Sequence, residues 1–420
     1  MDAMAERVER VLREHGAPAS VPGGHLGPRI VRLYLQPRRG VRAQAIRRLR
    51  EELALAIGAP EVTVRRTAEG LVLEYPRDDP QIIRFLSTLE AAEPVPETTA
   101  LLGIEEQGVP LLAKLSAPSV AHVLIAGTTG SGKSVLLRTI AASLLLTHTP
   151  ERLRAVCLDP KGRAFAALDG LPHLLRPPLR EGAEIAEVLR SLERLMEIRD
   201  EAREDTPRVV VLVDELADIL QVVDAAEDPL TRLAQRGREA GIHLVAATQH
   251  PSSAILSGVM RANFPLRLVG RVVSADDAKV AAGRHGTGAE TLAGRGDFMA
   301  ITGGTTLRFQ AAYATDEELI EAFCDWKEGQ PAPDLLPAVT EAVDAPDWLR
   351  DGTNVLKARW DWWCEVRGEW GSRRKLHDLL FPEKPYGGTF VDRARRIERT
   401  VEAEFATTTT SDGADMITTA

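Results

Sequence analysis

Apolar residues follow two different rhythms in the first hundred positions. From Asp2 to His15 they recur at helical spacing, stop at Gly16, and give way to a Pro/Gly-rich stretch through Pro28. Arg29 to Leu35 alternates as a strand does, and Ala43 to Ile57 returns to the helical period, closed by Gly58. Val62-Thr-Val-Arg-Arg66 and Leu71-Val-Leu-Glu-Tyr75 flank a Thr-Ala-Glu-Gly turn, the pattern of a hairpin. Residues 1–26 are therefore predicted as a helix and linker, and 27–98 as a small α+β domain with Pro94 and Pro96 marking its exit.

Beyond about residue 108 the pattern becomes one of continuous apolar runs, at 122–126, 154–158, 208–213, 242–247 and 266–273. Helical segments separate most of them, which predicts an α/β fold with a mainly parallel sheet. Pro331, Pro333 and Pro337 mark a second linker, and every tryptophan falls at or after Trp326. Residues 346–404 read as a mostly helical module with Trp360, Trp362, Trp363 and Trp370 in its core, and the Thr-rich 405–420 as a disordered tail.

Composition narrows the class. At 420 residues, two or three domains are expected, and 44% apolar with 27% charged residues is ordinary for soluble protein. No apolar run has the length of a membrane span, and the N-terminus lacks a signal-peptide core. Cys157, Cys324 and Cys364 lie far apart, which suits small buried residues in a reduced, cytoplasmic setting. A net charge of −9 argues against a uniformly basic coat. Residues 28–50 nevertheless carry Arg29, Arg32, Arg38, Arg39, Arg42, Arg47, Arg48 and Arg50 with no acid. Such a run either faces phosphate or is a solvated face balanced by Glu51 and Glu52.

The candidate chemistry starts at Gly127, Thr128, Thr129, Gly130, Ser131, Gly132, Lys133 and Ser134, directly after the apolar run Val123-Leu-Ile-Ala126. Gly-x4-Gly-Lys-Ser between strand and helix is a phosphate-binding loop. Glycines let successive N–H groups turn inward around an anion, and the following helix adds its N-terminal dipole. Lys133 is placed to reach the β- and γ-phosphates of a nucleoside triphosphate and Ser134 to hold Mg²⁺.

Two further strands end in polar residues. Val209-Val-Val-Leu-Val213 runs into Asp214-Glu215, where Asp214 is a candidate Mg²⁺ ligand and Glu215 a candidate to polarise the attacking water. His243-Leu-Val-Ala-Ala-Thr-Gln249 ends at Gln249, a candidate γ-phosphate sensor or a buried amide with structural bonds only. Between them lies Arg232-Leu-Ala-Gln-Arg-Gly-Arg238. By spacing alone Arg236, Arg238 or neither is a trans-acting finger, and a salt bridge is the alternative.

Taken in order, these segments resemble the FtsK/SpoIIIE family of hexameric double-stranded DNA translocases. The resemblance rests on Ala126–Ser134, Asp159-Pro-Lys161, Leu171-Pro-His-Leu-Leu175, Val213-Asp-Glu-Leu-Ala-Asp218, Gly237-Arg-Glu-Ala-Gly-Ile-His243, Ala247-Thr-Gln249 and Gly288–Asp297. It implies a RecA-like ATPase motor over 99–328, with 27–98 as the family's ring-forming domain. It also implies ATP and Mg²⁺ as cofactors, and double-stranded DNA and a homohexamer as partners. It puts Arg238 ahead of Arg236 as the trans finger. It directs attention to Ser252–Phe264 for DNA contacts, with Arg261 and Asn263 as candidates. A protein-export ATPase of the same superfamily is the alternative. His250 stands where the family usually has Arg, and no membrane domain is present, which suggests by analogy a soluble form from a mobile element. Residues 372–380 and 389–399 fit either two helices of the family's winged-helix module or an unrelated helical unit.

Overall fold

The computed structural model describes residues 2–67, 70–223, 226–249, 258–327 and 333–337. All of them belong to one compact unit, Met1–Pro337. The expected helical module at 346–404 and the tail at 405–420 lie outside the described residues.

An N-terminal helix, Asp2–Glu14, buries Val8 and Leu12 and leads into a four-stranded antiparallel sheet. Its strands are β1 (Ala19–Leu26), β2 (Ile30–Pro37), β3 (Thr63–Thr67) and β4 (Gly70–Pro76), in the order β1-β2-β4-β3. The β3–β4 hairpin follows from the alternation of its two runs. Strand β1 occupies the stretch expected to be linker. Proline and glycine there mark an edge strand: Pro22 falls where the register against β2 shifts, so its missing N–H breaks no ladder bond. The single helix expected at 43–57 is two, Ala43–Arg48 and Arg50–Ile57, with a tighter i→i+3 bond from Leu49 N to Ile46 O at the join. Both Ile46 and Leu53 still reach the small core.

The remaining strands form one nine-stranded sheet: β5 (Thr99–Glu105), β6 (Pro110–Lys114), β7 (Val123–Ala126), β8 (Leu153–Leu158), β9 (Arg208–Val213), β10 (Ile242–Thr248), β11 (Leu266–Val269), β12 (Asp297–Thr302) and β13 (Thr305–Ala311). Their order is β6-β5-β13-β12-β11-β7-β10-β9-β8. From β11 through β8 every pairing is parallel. From β11 out to β6 every pairing is antiparallel. The sheet is thus mixed and largely parallel, extended by hairpins that apolar runs alone did not reveal. One of them turns through Gly303 and Gly304, both at positive φ, as the tight connection requires.

Helices cover both faces. Val123 and Ile125 of β7 point into the core beneath the helix Lys133–Thr147, while Leu124 points to the other side, against the helix Gly182–Ala202. Strands buried on both faces read as unbroken apolar runs, which is why these five were visible in the sequence. Cys157 is buried in β8, whereas Cys324 is exposed, unlike the buried residue expected. No helix among the described residues is long and apolar enough to cross a membrane.

Candidate nucleotide site

Parallel strands deliver their carboxyl ends to one edge of the sheet, and there β7, β9, β10 and β11 end side by side. The loop after β7 is held in place from behind. Thr128 donates its N–H to Arg271 O at 2.8 Å, and Arg295 and Gly296 donate theirs to Gly130 O and Ser131 O at 3.0 and 2.8 Å. Gly132 stands at φ 103°, and a Cβ there would lie 2.9 Å from Gly296 N, so only glycine fits. The helix Lys133–Thr147 then begins with its free N–H groups facing the loop.

Five predicted residues meet around one cavity of about 630 Å³: Lys133, Ser134, Asp214, Glu215 and Gln249 all line it, with Thr129, Gly130 and Gly132. Gly127, Thr128 and Ser131 shape the loop from outside that lining. Lys133 is buried, with Nζ donating to Thr128 O at 3.1 Å. Burial pulls its ammonium below the usual lysine range, against the opposing pull of Glu215 and Asp214. An incoming phosphate would relieve that cost.

Ser134 Oγ donates to Asp214 Oδ1 at 3.0 Å, so the two hard oxygens sit together at the ends of β9 and of the loop. Burial pushes the Asp214 carboxyl above its ordinary value; the Ser134 bond opposes this, and Asp159 and Glu215 add to it. A pair of oxygen donors with a destabilised carboxylate suits Mg²⁺, which takes few protein ligands alongside phosphate oxygens.

Glu215 adopts φ 66°, rare for a residue with a side chain, and this turns its carboxylate back toward β10. Its Oε1 accepts from Thr248 Oγ1 at 3.0 Å and from Gln249 N at 2.9 Å. Gln249 Oε1 in turn accepts from Thr129 Oγ1 at 2.8 Å. The acid, the amide and the phosphate loop therefore form one hydrogen-bonded chain.

The motif Asp159-Pro-Lys161 builds another wall. Asp159 accepts from Gly162 N and Ala164 N at 2.9 and 2.8 Å, and the turn so fixed presents Lys161 and Arg163 to the cavity. Lys161 pairs with Asp218 at 2.7 Å, which raises its ammonium above the ordinary range. His173 has a structural role: it is buried, bonded to His148 O at 2.7 Å, and meets Trp326 edge-on.

The structure keeps Arg238 away from this cavity. It is exposed, just before β10, at the amino edge of the sheet. Its charge there helps hold His122 near pKa 3 and His243 near 4, although burial is the main cause for both. The seven-residue β10 spans roughly 20 Å, so Arg238 cannot reach the phosphates of its own chain. Arg236 is paired with Asp200 at 2.5 Å. Arg261 is half-buried on the helix Gly258–Ala262, and Asn263 Nδ2 is bonded to Val259 O at 2.9 Å; neither lines the cavity. Residues 252–257, also expected to touch DNA, lie outside the described residues. Of the arginine run at 28–50, Arg29 lines the cavity, Arg32 is in a buried ion network, and Arg38, Arg39, Arg42, Arg47, Arg48 and Arg50 are exposed.

Sequence reasoning missed part of the lining. Arg29, Gln81, Ile82, Ile83, Arg295 and Tyr313 come from the small sheet, the segment after it, and the loops around β12 and β13. Arg29 and Arg295 stood inside segments already singled out, but nothing in either segment shows that they meet.

Comparisons with known proteins agree with this geometry. The model of the FtsK/SpoIIIE family matches residues 86–204 and 199–253, and that of the FtsK alpha domain matches residues 1–76. The DNA translocase FtsK of Halalkalibacterium halodurans is 32% identical over 394 residues, covering 84% of this chain and 49% of the relative. The chain thus spans about half the length of the curated relatives it matches. Among solved structures, the pCW3 conjugation coupling protein TcpA, monomer form with ATPγS, is similar in fold at a TM-score of 0.53 and 19% identity, covering 76% of this chain and 99% of that one. The cytoplasmic domain of the Thermomonospora curvata type VII secretion ATPase EccC is similar in fold at 0.51 and 24%, covering 60% and 34%. With a phosphate loop, an Asp-Glu strand end and both family models in register, this chain belongs to the FtsK/SpoIIIE family of P-loop ATPases.

Proposed function

We propose that this chain is the motor portion of an ATP-driven double-stranded DNA translocase that works as a ring, by family analogy a hexamer, in the cytoplasm. The observation that carries the reading is the convergence of Lys133, Ser134, Asp214, Glu215 and Gln249 on one cavity beside the phosphate loop. In this reading Lys133 and the loop amides bind the phosphates of ATP. Ser134 and Asp214 would hold Mg²⁺, which would supply positive charge to offset that of the phosphates. Glu215, locked by Thr248 and Gln249, orients the attacking water and accepts its proton. Gln249 links the state of that site to Thr129 of the loop.

Arg238 acts in this scheme on the neighbouring subunit's site, since its own lies across the sheet. The exposed arginines between Arg38 and Arg50 supply a positive surface suited to a phosphate backbone, and DNA affinity should fall as salt rises. Arg261 and Asn263 remain candidate DNA contacts on the segment after β10. The domain division proposed is a ring-forming unit at 27–98 and a motor at 99–328.

The test is ATP hydrolysis with and without double-stranded DNA. Stimulation of several-fold or more is expected, with Lys133→Ala inactive in both conditions. Turnover indifferent to double-stranded DNA, but raised by a peptide export signal, would instead favour the secretion reading, whose fold the chain shares.

A further inference from the structure

Two arginines from distant parts of the chain line the cavity beside Gly130, Gly132 and Lys133: Arg29 and Arg295. Arg29 directly precedes β2. Its carbonyl accepts from Arg77 N at 2.9 Å, and Arg77 also reaches Gly27 O at 3.0 Å, so the small sheet fixes its backbone. Arg295 is pinned to the phosphate loop through Gly130 O, and its own carbonyl accepts from Gln310 Nε2 at 3.0 Å. It stands at φ 49°, a conformation costly for a residue with a Cβ.

Neither guanidinium has an ion-pair partner among the described residues. The carboxylate that pulls on Arg29, Asp297, is already bound by Arg308 through two bonds of 2.8 Å. Burial and then the charge of Arg295 hold Arg29 below the ordinary arginine range, with Asp297 opposing weakly. Arg29 is half-buried and Arg295 exposed, and two like charges that act on each other beside one cavity raise the free energy of the protein unless an anion comes between them. The cavity they line is the one that the phosphate loop opens into.

We propose that Arg29 and Arg295 together grip the phosphate chain of the bound nucleotide, so that the N-terminal sheet supplies part of the nucleotide site of its own chain. This rests on the nucleotide-site reading above and adds a ligand from outside the motor sheet. Nucleotide binding would then also fasten the small sheet to the large one.

The experiment is titration of the full chain with Mg·ATP and Mg·ADP by calorimetry, with thermal melting in parallel. Arg29→Ala should weaken affinity about tenfold, the loss of one charge-assisted contact. Arg29→Glu should weaken it further. Because Glu would pair with Arg295, that variant should melt no lower than wild type without nucleotide while losing most of the nucleotide-induced rise in Tm. A merely structural arginine would give the opposite: lower melting without ligand and unchanged affinity. Wild-type affinity in both variants overturns the proposal, as does an unchanged nucleotide affinity with weakened DNA binding, which would assign the pair to DNA phosphate. Lys133→Ala separates the two levels. If it binds nucleotide like wild type, the site itself is misread; if it fails to bind while the Arg29 variants bind normally, only the grip is wrong.

Discussion

Glu74 on β4 of the small sheet accepts from Arg308 on β13 of the motor sheet at 2.8 Å, with both side chains buried. The same carboxylate pairs with Arg32 at 2.6 Å and Arg65 at 3.3 Å, and Arg308 continues to Asp297. Asp297 follows Gly296, whose N–H holds Ser131 of the phosphate loop. Ion pairs as far as Asp297, then one backbone hydrogen bond from Gly296, thus connect the N-terminal sheet to the phosphate loop.

Removing Glu74 should therefore be costly. Burial alone would push its carboxyl up, but Arg308, Arg65 and Arg32 outweigh this and hold it below the ordinary range. Glu74→Gln leaves three arginines facing one another and should destabilise the protein by about 3–5 kcal/mol, the range for breaking a buried pair. Since the folded pKa lies below the unfolded one, this contribution is complete above about pH 4.3 and fades as pH falls through the folded value. Urea titration at pH 7 and again in acid would check both the size and the convergence of the two proteins at low pH.

Asp214 has the reverse sign. Burial raises its carboxyl, so the ionised side chain weakens the folded state at neutral pH, and the deficit disappears as pH falls toward the unfolded value near 4. Asp214→Asn should raise stability by about 1 kcal/mol at pH 7 while sharply weakening the Mg²⁺ dependence of nucleotide binding. Equal melting of variant and wild type at pH 7, or an unaltered Mg²⁺ requirement, would contradict this assignment. A carboxylate kept where it costs stability is expected at a working site.

Much of this was legible in the sequence, for identifiable reasons. The five parallel strands announced themselves because burial on both faces demands unbroken apolar runs, and Asp214, Glu215 and Gln249 were visible as polar residues at the ends of such runs. Strand β1 was hidden because its prolines and glycines look like a linker unless the partner edge is known. Strands β6 and β13 are partly exposed and carry weaker apolar signals, whereas β5 and β12 are largely buried, but Gly103 breaks the apolar run of the one and Asp297 opens the other. Arg29 and Arg295 could not be placed together by any local pattern, since 266 positions of chain separate them (295 − 29) and only the packing of one sheet on the other joins them.

The contact between Gln249 and Thr129 predicts a coupling that neither residue would give alone. Gln249→Ala should leave nucleotide affinity within about threefold of wild type, because the backbone amides of the phosphate loop and Lys133 remain in place. It should lower DNA-stimulated turnover by about tenfold or more, the scale of a lost water-orienting or sensing contact. Thr129→Val should reproduce part of that loss, and the double variant should be no worse than Gln249→Ala. Additive losses in steady-state kinetics would show that the two side chains act separately.

Arg238 offers the sharpest test of assembly. It is exposed and separated from its own cavity by the length of β10, so any role in hydrolysis requires a second chain. Arg238→Ala should keep wild-type nucleotide affinity in dilute protein, where no neighbour contributes, and lower turnover by about 10³-fold or more in assembled protein. Mixed with wild type at increasing ratio, it should depress DNA-stimulated hydrolysis more steeply than its share of subunits, because in the proposed ring each variant chain would disable a neighbour's site. A strictly proportional decline would argue against action on a neighbour's site, and no decline at all would mean that Arg238 serves only the surface beside His122 and His243.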